Sequence, residues 1–155
     1  MGYPNPAAND MQAWTGLRCG FRVDRASAIL PATASTTYFT VAGGRVACHF
    51  IGEVTVVFDG TVNSLNLTHT PTGGTVGDIC GAAVVTSKEV GTMFGMTGLP
   101  TDAMTMTTAC TRLQNLVVLK PGVVKLKSTA TDATGSTKWT CWYFPLDEGA
   151  TVVAS

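Results

Sequence analysis

Short runs of apolar and β-branched residues, separated by glycine, proline and other turn residues, make up the chain from Leu17 onward. Runs of this length and composition are typical of strands, and strands that do not alternate with helical segments favour an antiparallel all-β domain. We predict strands near residues 17–23, 27–30, 36–41, 45–58, 62–69, 79–86, 103–108, 115–120, 123–129, 137–144 and 150–154.

Two glycine turns predict which of these strands are neighbours. Gly43 and Gly44 separate two apolar runs by a two-residue loop that is typical of a β-hairpin. The Lys-Pro-Gly-Val sequence at 120–123 has the proline and the glycine that a type II turn favours. We therefore expect an antiparallel pair of strands on either side of each turn. The segment 87–95 is the one candidate for helical geometry, and its two glycines limit it to a single turn.

The length of 155 residues suits one domain that buries roughly 70% of the surface its unfolded chain would expose. About ten short strands at nearly regular spacing are typical of a sandwich, a jelly roll or a small barrel. We predict a single all-β domain over residues 17–155, an antiparallel, jelly-roll-like β-sandwich. Residues 1–16 show neither helical nor alternating periodicity and are predicted to form an extended N-terminal arm.

Aromatic residues mark the candidate interfaces. Trp139 and Trp142 lie three residues apart, so on one strand they face opposite sides of the sheet. One of them is predicted to anchor the core and the other to be an interface residue. Tyr3 and Trp14 lie in the arm, where an isolated aromatic needs a second surface to cover it. The candidate interface residues are Tyr3, Pro4, Trp14 and Trp142.

Charged residues are 13% of the chain and their formal net charge is zero, which does not support attraction to nucleic acid or to an anionic membrane. Lys120, Lys125 and Lys127 form a modest basic group that a solvated strand face explains. No apolar run approaches the length of a membrane span. The first residues lack the basic and apolar regions of a secretory signal, so we expect the protein to be made and kept in a cytoplasm.

The chain has five cysteines, at positions 19, 48, 80, 110 and 141, without the CxxC pair that begins a zinc site or a redox motif. An odd number cannot pair completely within one chain. We expect all five to be reduced thiols that pack as small hydrophobic residues in strands. With two histidines and no clustered carboxylates, no metal or other cofactor is predicted.

No catalytic group assembles in the sequence. Cys48 and His49 are adjacent on a predicted strand, so their side chains point to opposite faces and cannot act as a nucleophile and its base. Asp147 and Glu148 lie in a Pro-Leu-Asp-Glu-Gly turn, where adjacent acids are expected to shape and solubilise the turn. His69 stands beside a turn and is expected to be solvated. We therefore predict that the protein is not an enzyme.

Several short segments, in one order and with similar spacing, resemble a family of small structural proteins of tailed bacteriophages. The resemblance covers about residues 26–155. It rests on AILPATA at 28–34, YFTVAGGRV at 38–46, IGEVT at 51–55, GDIC at 77–80, EVGTMFGMTG at 89–98 and KWTCWYFPLDEGA at 138–150.

The resemblance implies a β-sandwich or jelly-roll capsid cement (decoration) protein on the outer surface of the phage head. Its partner is then the major capsid protein, whose neighbouring subunits it bridges. It is also expected to be a homo-oligomer, with a trimer at local three-fold positions favoured and a dimer at local two-folds as the alternative. The expected location is the virion, after synthesis in the host cytoplasm.

A binding module of another class is the alternative interpretation. This would be a head-fibre or tail-associated β-sandwich that recognises host-surface glycans through Trp142 and loop residues. A cement protein is present in many copies on the head, whereas a receptor-binding protein is rare or bound to a fibre. Location and copy number therefore discriminate between the two functions.

Overall fold

The computed structural model of the protein describes residues 20–111, 115–131 and 134–155, and these residues form two six-stranded antiparallel sheets that pack against each other. The strands are β1 (Phe21–Ile29), β2 (Ser35–Ala42), β3 (Val46–Val56), β4 (Ser64–Pro71), β5 (Gly77–Asp78), β6 (Ala83–Val84), β7 (Met93–Gly95), β8 (Thr105–Thr107), β9 (Val117–Leu119), β10 (Gly122–Ser128), β11 (Ser136–Pro145) and β12 (Thr151–Ala154). No helix occurs in these three ranges. The predicted arm, residues 1–16, lies outside them.

The strand order is that of a jelly roll. Sheet A has the order β1-β11-β3-β7-β8 with β9 also paired to β3, and sheet B has the order β12-β2-β10-β4-β5 with β6 also paired to β4. Early strands pair with late ones: β1 with β11, β2 with β10 and β3 with β9, while β4 pairs with β5. A long antiparallel hairpin that folds over produces this double Greek key, and strands β1 to β4 and β9 to β12 accordingly alternate between the two sheets. The predicted jelly-roll-like sandwich is confirmed.

Alternation along the strands separates the core from the two outer faces. In β3, the buried positions Val46, Cys48, Phe50 and Val54 alternate with less buried neighbours. In β10, Val124, Leu126 and Ser128 point inward and the lysines between them point outward. This period of two is the pattern of a sheet that buries one face and leaves the other to solvent or a partner.

The core is centred on Trp139, which is 1% exposed. Its ring stacks on Phe94 with centroids 5.8 Å apart and meets Tyr38 edge-on at 6.3 Å. Gly52 lies directly across from Trp139 on β3, where the missing side chain leaves room for the indole. The prediction that one tryptophan of the C-terminal strand anchors the core is confirmed.

Both predicted glycine turns connect different sheets, so the expected antiparallel neighbours are wrong. β2 lies in sheet B and β3 in sheet A, and the chain crosses between them at Gly43 and Gly44. Gly43 has φ +76°, and a Cβ there would collide with the carbonyl oxygen of Gly149. The turn at Pro121 likewise joins β9 of sheet A to β10 of sheet B. Each flanking strand buries a face in the same core from opposite sides, so the chain must cross the sandwich rather than fold back within one sheet.

The segment predicted to hold at most one helical turn contains no helix in the structure. Its end, Met93–Gly95, is β7, which pairs with β3 and β8. The strand predicted near 79–86 is reduced to β6, which pairs with β4, as does β5 just before it. The two strands predicted between 17 and 30 are one strand, β1, with an irregularity in its register between Arg25 and Ala28.

Candidate functional site

Trp142 lies on the outer face of sheet A, on the opposite side of β11 from Trp139, as the sequence predicts. It is half-buried between two neighbours in the strand register, Arg22 on β1 and His49 on β3. The guanidinium of Arg22 lies 6.0 Å from the centroid of the Trp142 ring. A cation at this distance is weakly attracted to the indole.

Two ion pairs lie beside this tryptophan. Arg22 pairs with Asp24 at 2.9 Å, and the Asp24 carboxylate also accepts a hydrogen bond of 2.7 Å from the hydroxyl of Thr140. The Thr140 hydroxyl and Arg22 together lower the pKa of Asp24. Further along the same face, Lys138 pairs with Glu53 at 2.8 Å. The charges are therefore already paired within the sheet.

His49 lies beside Trp142 on the same face. Burial lowers its pKa below the ordinary value of 6.5. Neither ring nitrogen has a hydrogen-bond partner among the described residues, although both nitrogens are shielded from solvent. His49 pairs across the strands with Trp142 and flanks the indole on the β3 side.

Apolar side chains extend the face toward the strand ends. Phe144 follows Trp142 on the same side of β11 and pairs with Ala47, which in turn pairs with Val118 of β9. Val118 is 61% exposed, and Ile51 pairs with Thr140 beside the tryptophan. We name this surface the Trp142 face. It consists of Arg22, Asp24, His49, Ile51, Val118, Thr140, Trp142 and Phe144.

Aromatic residues and arginine are enriched at the centres of protein–protein interfaces, and the Trp142 face has both. Tryptophan and arginine are also the residues that most often dominate binding energy at such surfaces. Cys48 and His49 do not form a nucleophile and base on this face, because Cys48 is fully buried in the core while His49 faces outward. The predicted opposite orientation of these two residues is confirmed.

The remaining candidate groups are structural where the structure describes them. Asp147 forms hydrogen bonds with Arg45 that fix its turn, as expected for an acid that shapes a turn. His69 is half-buried rather than solvated, because it lies on the same side of β4 as the buried Leu65 and Leu67. Within the described ranges, no group of three or more histidine, cysteine or acidic residues could hold a metal ion.

Of the four candidate interface residues, Trp142 lies on the Trp142 face, and Tyr3, Pro4 and Trp14 lie outside the described residues. Sequence reasoning missed Arg22, His49 and Val118 as members of this surface. Their outward positions follow from strand alternation, but their meeting depends on the register between β1, β11, β3 and β9. No local signal in the sequence fixes that register.

The cysteines are mostly core residues. Cys48, Cys80 and Cys141 are buried free thiols, as expected, but Cys110 is exposed, so the expectation of burial is wrong there. Contact with Cys141 and burial raise the pKa of Cys48, and burial raises the pKa of Cys80 to about 11. A raised pKa makes the thiols of Cys48 and Cys80 poor nucleophiles at neutral pH. Cys19 lies outside the described residues.

The class that the fold defines is a jelly-roll β-sandwich, and the Trp142 face lies on the outer side of its sheet A. No protein-family model, curated protein or solved structure matches the chain. Among the described residues, none forms a helix long and apolar enough to cross a membrane.

Proposed function

We propose that the protein is a capsid cement (decoration) protein of a tailed bacteriophage. In this proposal it binds the outer surface of the head and bridges neighbouring subunits of the major capsid protein. The observation that carries the proposal is the Trp142 face, a preformed docking surface on a jelly roll. The resemblance of residues 26–155 to small phage structural proteins supports the choice of partner.

The composition of the face supports a permanent contact with another protein. Trp142 is flanked by Arg22 and by its strand neighbours before any partner binds, and such flanking reduces the side-chain freedom that docking removes. Val118 adds an exposed aliphatic side chain on the same surface. The Asp24 and Glu53 carboxylates are paired within the sheet, so docking need not desolvate lone charges.

The remaining parts of the proposal concern assembly. The protein acts without catalysis, as a homotrimer or alternatively a homodimer, and its arm with Tyr3, Pro4 and Trp14 contacts a neighbouring subunit. Several modest contacts made by one oligomer act together, because the effective concentration of the second contact is high once the first has formed. Zero net charge limits repulsion between the many copies on one shell.

The test is removal of the protein from phage heads followed by its return. Heads without the protein should release DNA at a lower temperature or under milder osmotic stress, and the purified wild-type protein should restore them. Trp142→Ala should bind heads at least about tenfold more weakly, because it removes the anchor at the centre of the face. Val153→Ala is the matched control, since it trims an exposed apolar residue of sheet B.

One result would overturn the proposal, and a second would select the alternative function. Stripped heads that withstand heat and osmotic stress as well as complete heads have no need of a cement protein. If those heads also fail to adsorb to host cells, the glycan-binding function replaces the cement function.

A further inference from the structure

A second surface lies on the opposite side of the sandwich, on the outer face of sheet B. It is a groove of about 570 Å³ lined by Thr68, Thr70, Val76, Asp78, Lys125 and Lys127. We name it the Lys125 groove. Its volume lies in the range of small-molecule binding sites.

The strand register fixes the order of the groove's polar groups. Lys125 on β10 pairs with Thr68 on β4, and Thr68 pairs with Asp78 on β5, so the three form one row across the sheet. Neighbouring strands are about 4.8 Å apart, which places the Cα atoms of Lys125 and Asp78 about 10 Å from each other. Lys127 lies two residues beyond Lys125 on the same face, in the row of Asn66.

The two ends of the row differ in charge and in whether their polar groups already have a partner in the protein. Neither Lys125 nor Lys127 forms an ion pair with another of the described residues. Asp78 accepts a hydrogen bond of 3.0 Å from the side-chain amide of Asn66, which fixes one carboxylate oxygen and leaves the other able to accept. The groove thus has cationic donors at one wall, an acceptor at the other and threonine hydroxyls between them.

This arrangement selects for a particular ligand chemistry. A carboxylate fits between the lysines, and hydroxyl groups two strands away can donate to Asp78. A phosphate, with two charges on one group, would be repelled by Asp78 more strongly than a single carboxylate, and a neutral sugar would leave the lysines without an anion. Val76, which is 62% exposed, offers an apolar contact at the rim for the C–H face of a ring.

We propose that the Lys125 groove binds sugar acids, hydroxylated carboxylates of the uronic acid class. The carboxylate of the sugar is held by Lys125 and Lys127, and its hydroxyl groups bond to Asp78 and Thr68. This site lies on the face opposite the Trp142 face and does not depend on the capsid role. A protein docked through sheet A would present the groove outward.

The test is a titration of the full-length protein with D-glucuronate and with an oligogalacturonate at low ionic strength, followed by ¹H–¹⁵N NMR. Backbone signals of Thr68, Asp78, Lys125 and Lys127 should shift together, and D-glucose should shift them at least about tenfold less at equal concentration. The double variant Lys125→Ala/Lys127→Ala should weaken binding at least about tenfold. Lys120→Ala changes one unit of charge outside the groove and should leave the affinity unchanged.

A third variant separates recognition of the sugar from simple attraction of an anion. Asp78→Asn removes the negative acceptor, so the preference for glucuronate over acetate should fall severalfold while acetate binds no worse. Equal binding of polyglutamate and oligogalacturonate would overturn the sugar assignment in favour of an acidic peptide. The absence of shifts in the wild-type protein, or shifts that survive the double lysine variant, would overturn the site itself.

Discussion

The carboxylate of Asp147 accepts three hydrogen bonds from Arg45: one from its main-chain nitrogen at 2.7 Å and two from its guanidinium at 2.9 and 2.7 Å. Arg45 belongs to the crossing from β2 to β3, and Asp147 to the turn between β11 and β12. The pair therefore joins the first half of the jelly roll to its C-terminal strand. Beside this pair, the backbones of Gly43 and Gly149 pack directly against each other. A side chain on Gly43 would collide with Gly149, which explains the glycine in the turn between β2 and β3.

Acid should weaken the contact between Arg45 and Asp147. Arg45 lowers the pKa of Asp147 from its ordinary 3.8 to about 2. A carboxyl with a depressed folded-state pKa stabilises the fold fully above pH 3.8 and loses that contribution as the pH falls toward 2. The wild-type protein should therefore melt above Asp147→Asn at pH 7, and the gap should close near pH 2. Because both side chains are partly exposed, the gap should also shrink in high salt, as thermal melts at two ionic strengths will show. A gap that is constant with pH would contradict the pairing.

Asn63 should be one of the most sensitive polar positions. It is 1% exposed, and its side-chain oxygen accepts hydrogen bonds from the Ser128 hydroxyl at 2.9 Å and the Ala130 nitrogen at 3.1 Å. Its side-chain nitrogen donates to the Ala130 carbonyl at 3.2 Å. Asn63→Ala leaves several of these groups without a partner and should cost about 2 kcal/mol in urea unfolding.

The control for that variant is Asn115→Ala, an exposed asparagine outside the strands. It should change the free energy of unfolding by no more than about 0.5 kcal/mol. Equal costs for the two alanine variants would show that the Asn63 hydrogen bonds do not stabilise the junction of β4 and β10.

Gly52 should not tolerate a side chain. A Cβ there would lie 2.7 Å from the ring of Trp139 and 2.9 Å from that of Phe94, and both rings are fixed in the core. Gly52→Ala should therefore destabilise the protein by about 1–3 kcal/mol. Gly60→Ala meets no atom within 4 Å and should be close to neutral. Similar unfolding midpoints for both variants would refute the close packing at Gly52.

The thiols should differ in reactivity according to burial. Under native conditions, Cys110 should be alkylated quickly, while Cys48, Cys80 and Cys141 should react only as the protein unfolds. In denaturant without reductant, all five cysteines should be modified, since we expect every thiol to be reduced. Peptide mass mapping measures both states. A native disulfide, or fast native labelling of Cys48, would contradict this prediction.

Local patterns predicted the strands and the orientation of the tryptophans, because both depend on the period of two within one strand. The alternation in β3 and β10 is visible in the sequence, and the spacing of Trp139 and Trp142 alone places them on opposite faces. The pairing of strands was not predictable in this way. Gly43 and Gly44 have the chemistry of a hairpin, but burial of β2 and β3 against one core from opposite sides decides their sheets.

The Trp142 face likewise combines features set within one strand with features set by strand pairing. The sequence predicts Trp142 as an outward-facing interface residue but does not predict its neighbours, because Arg22 and His49 are brought to it by pairing between distant strands. The Lys125 groove illustrates a similar limit. Lys125 and Lys127 are recognisable on one strand face, yet the acceptor opposite them, Asp78, reaches the groove through the pairing of β5 with β4. Long-range register therefore assembles both surfaces.

The central claim is that the protein coats the phage head through its Trp142 face, and a cryo-EM map of the intact particle tests it most directly. The account predicts many copies of the jelly roll on the outer surface of the head, at local three-fold or two-fold positions. In each copy, Trp142 should contact the major capsid protein or a neighbouring copy of this chain. A map in which the protein is absent from the head, or present in a few copies on a fibre or the tail, would contradict the account.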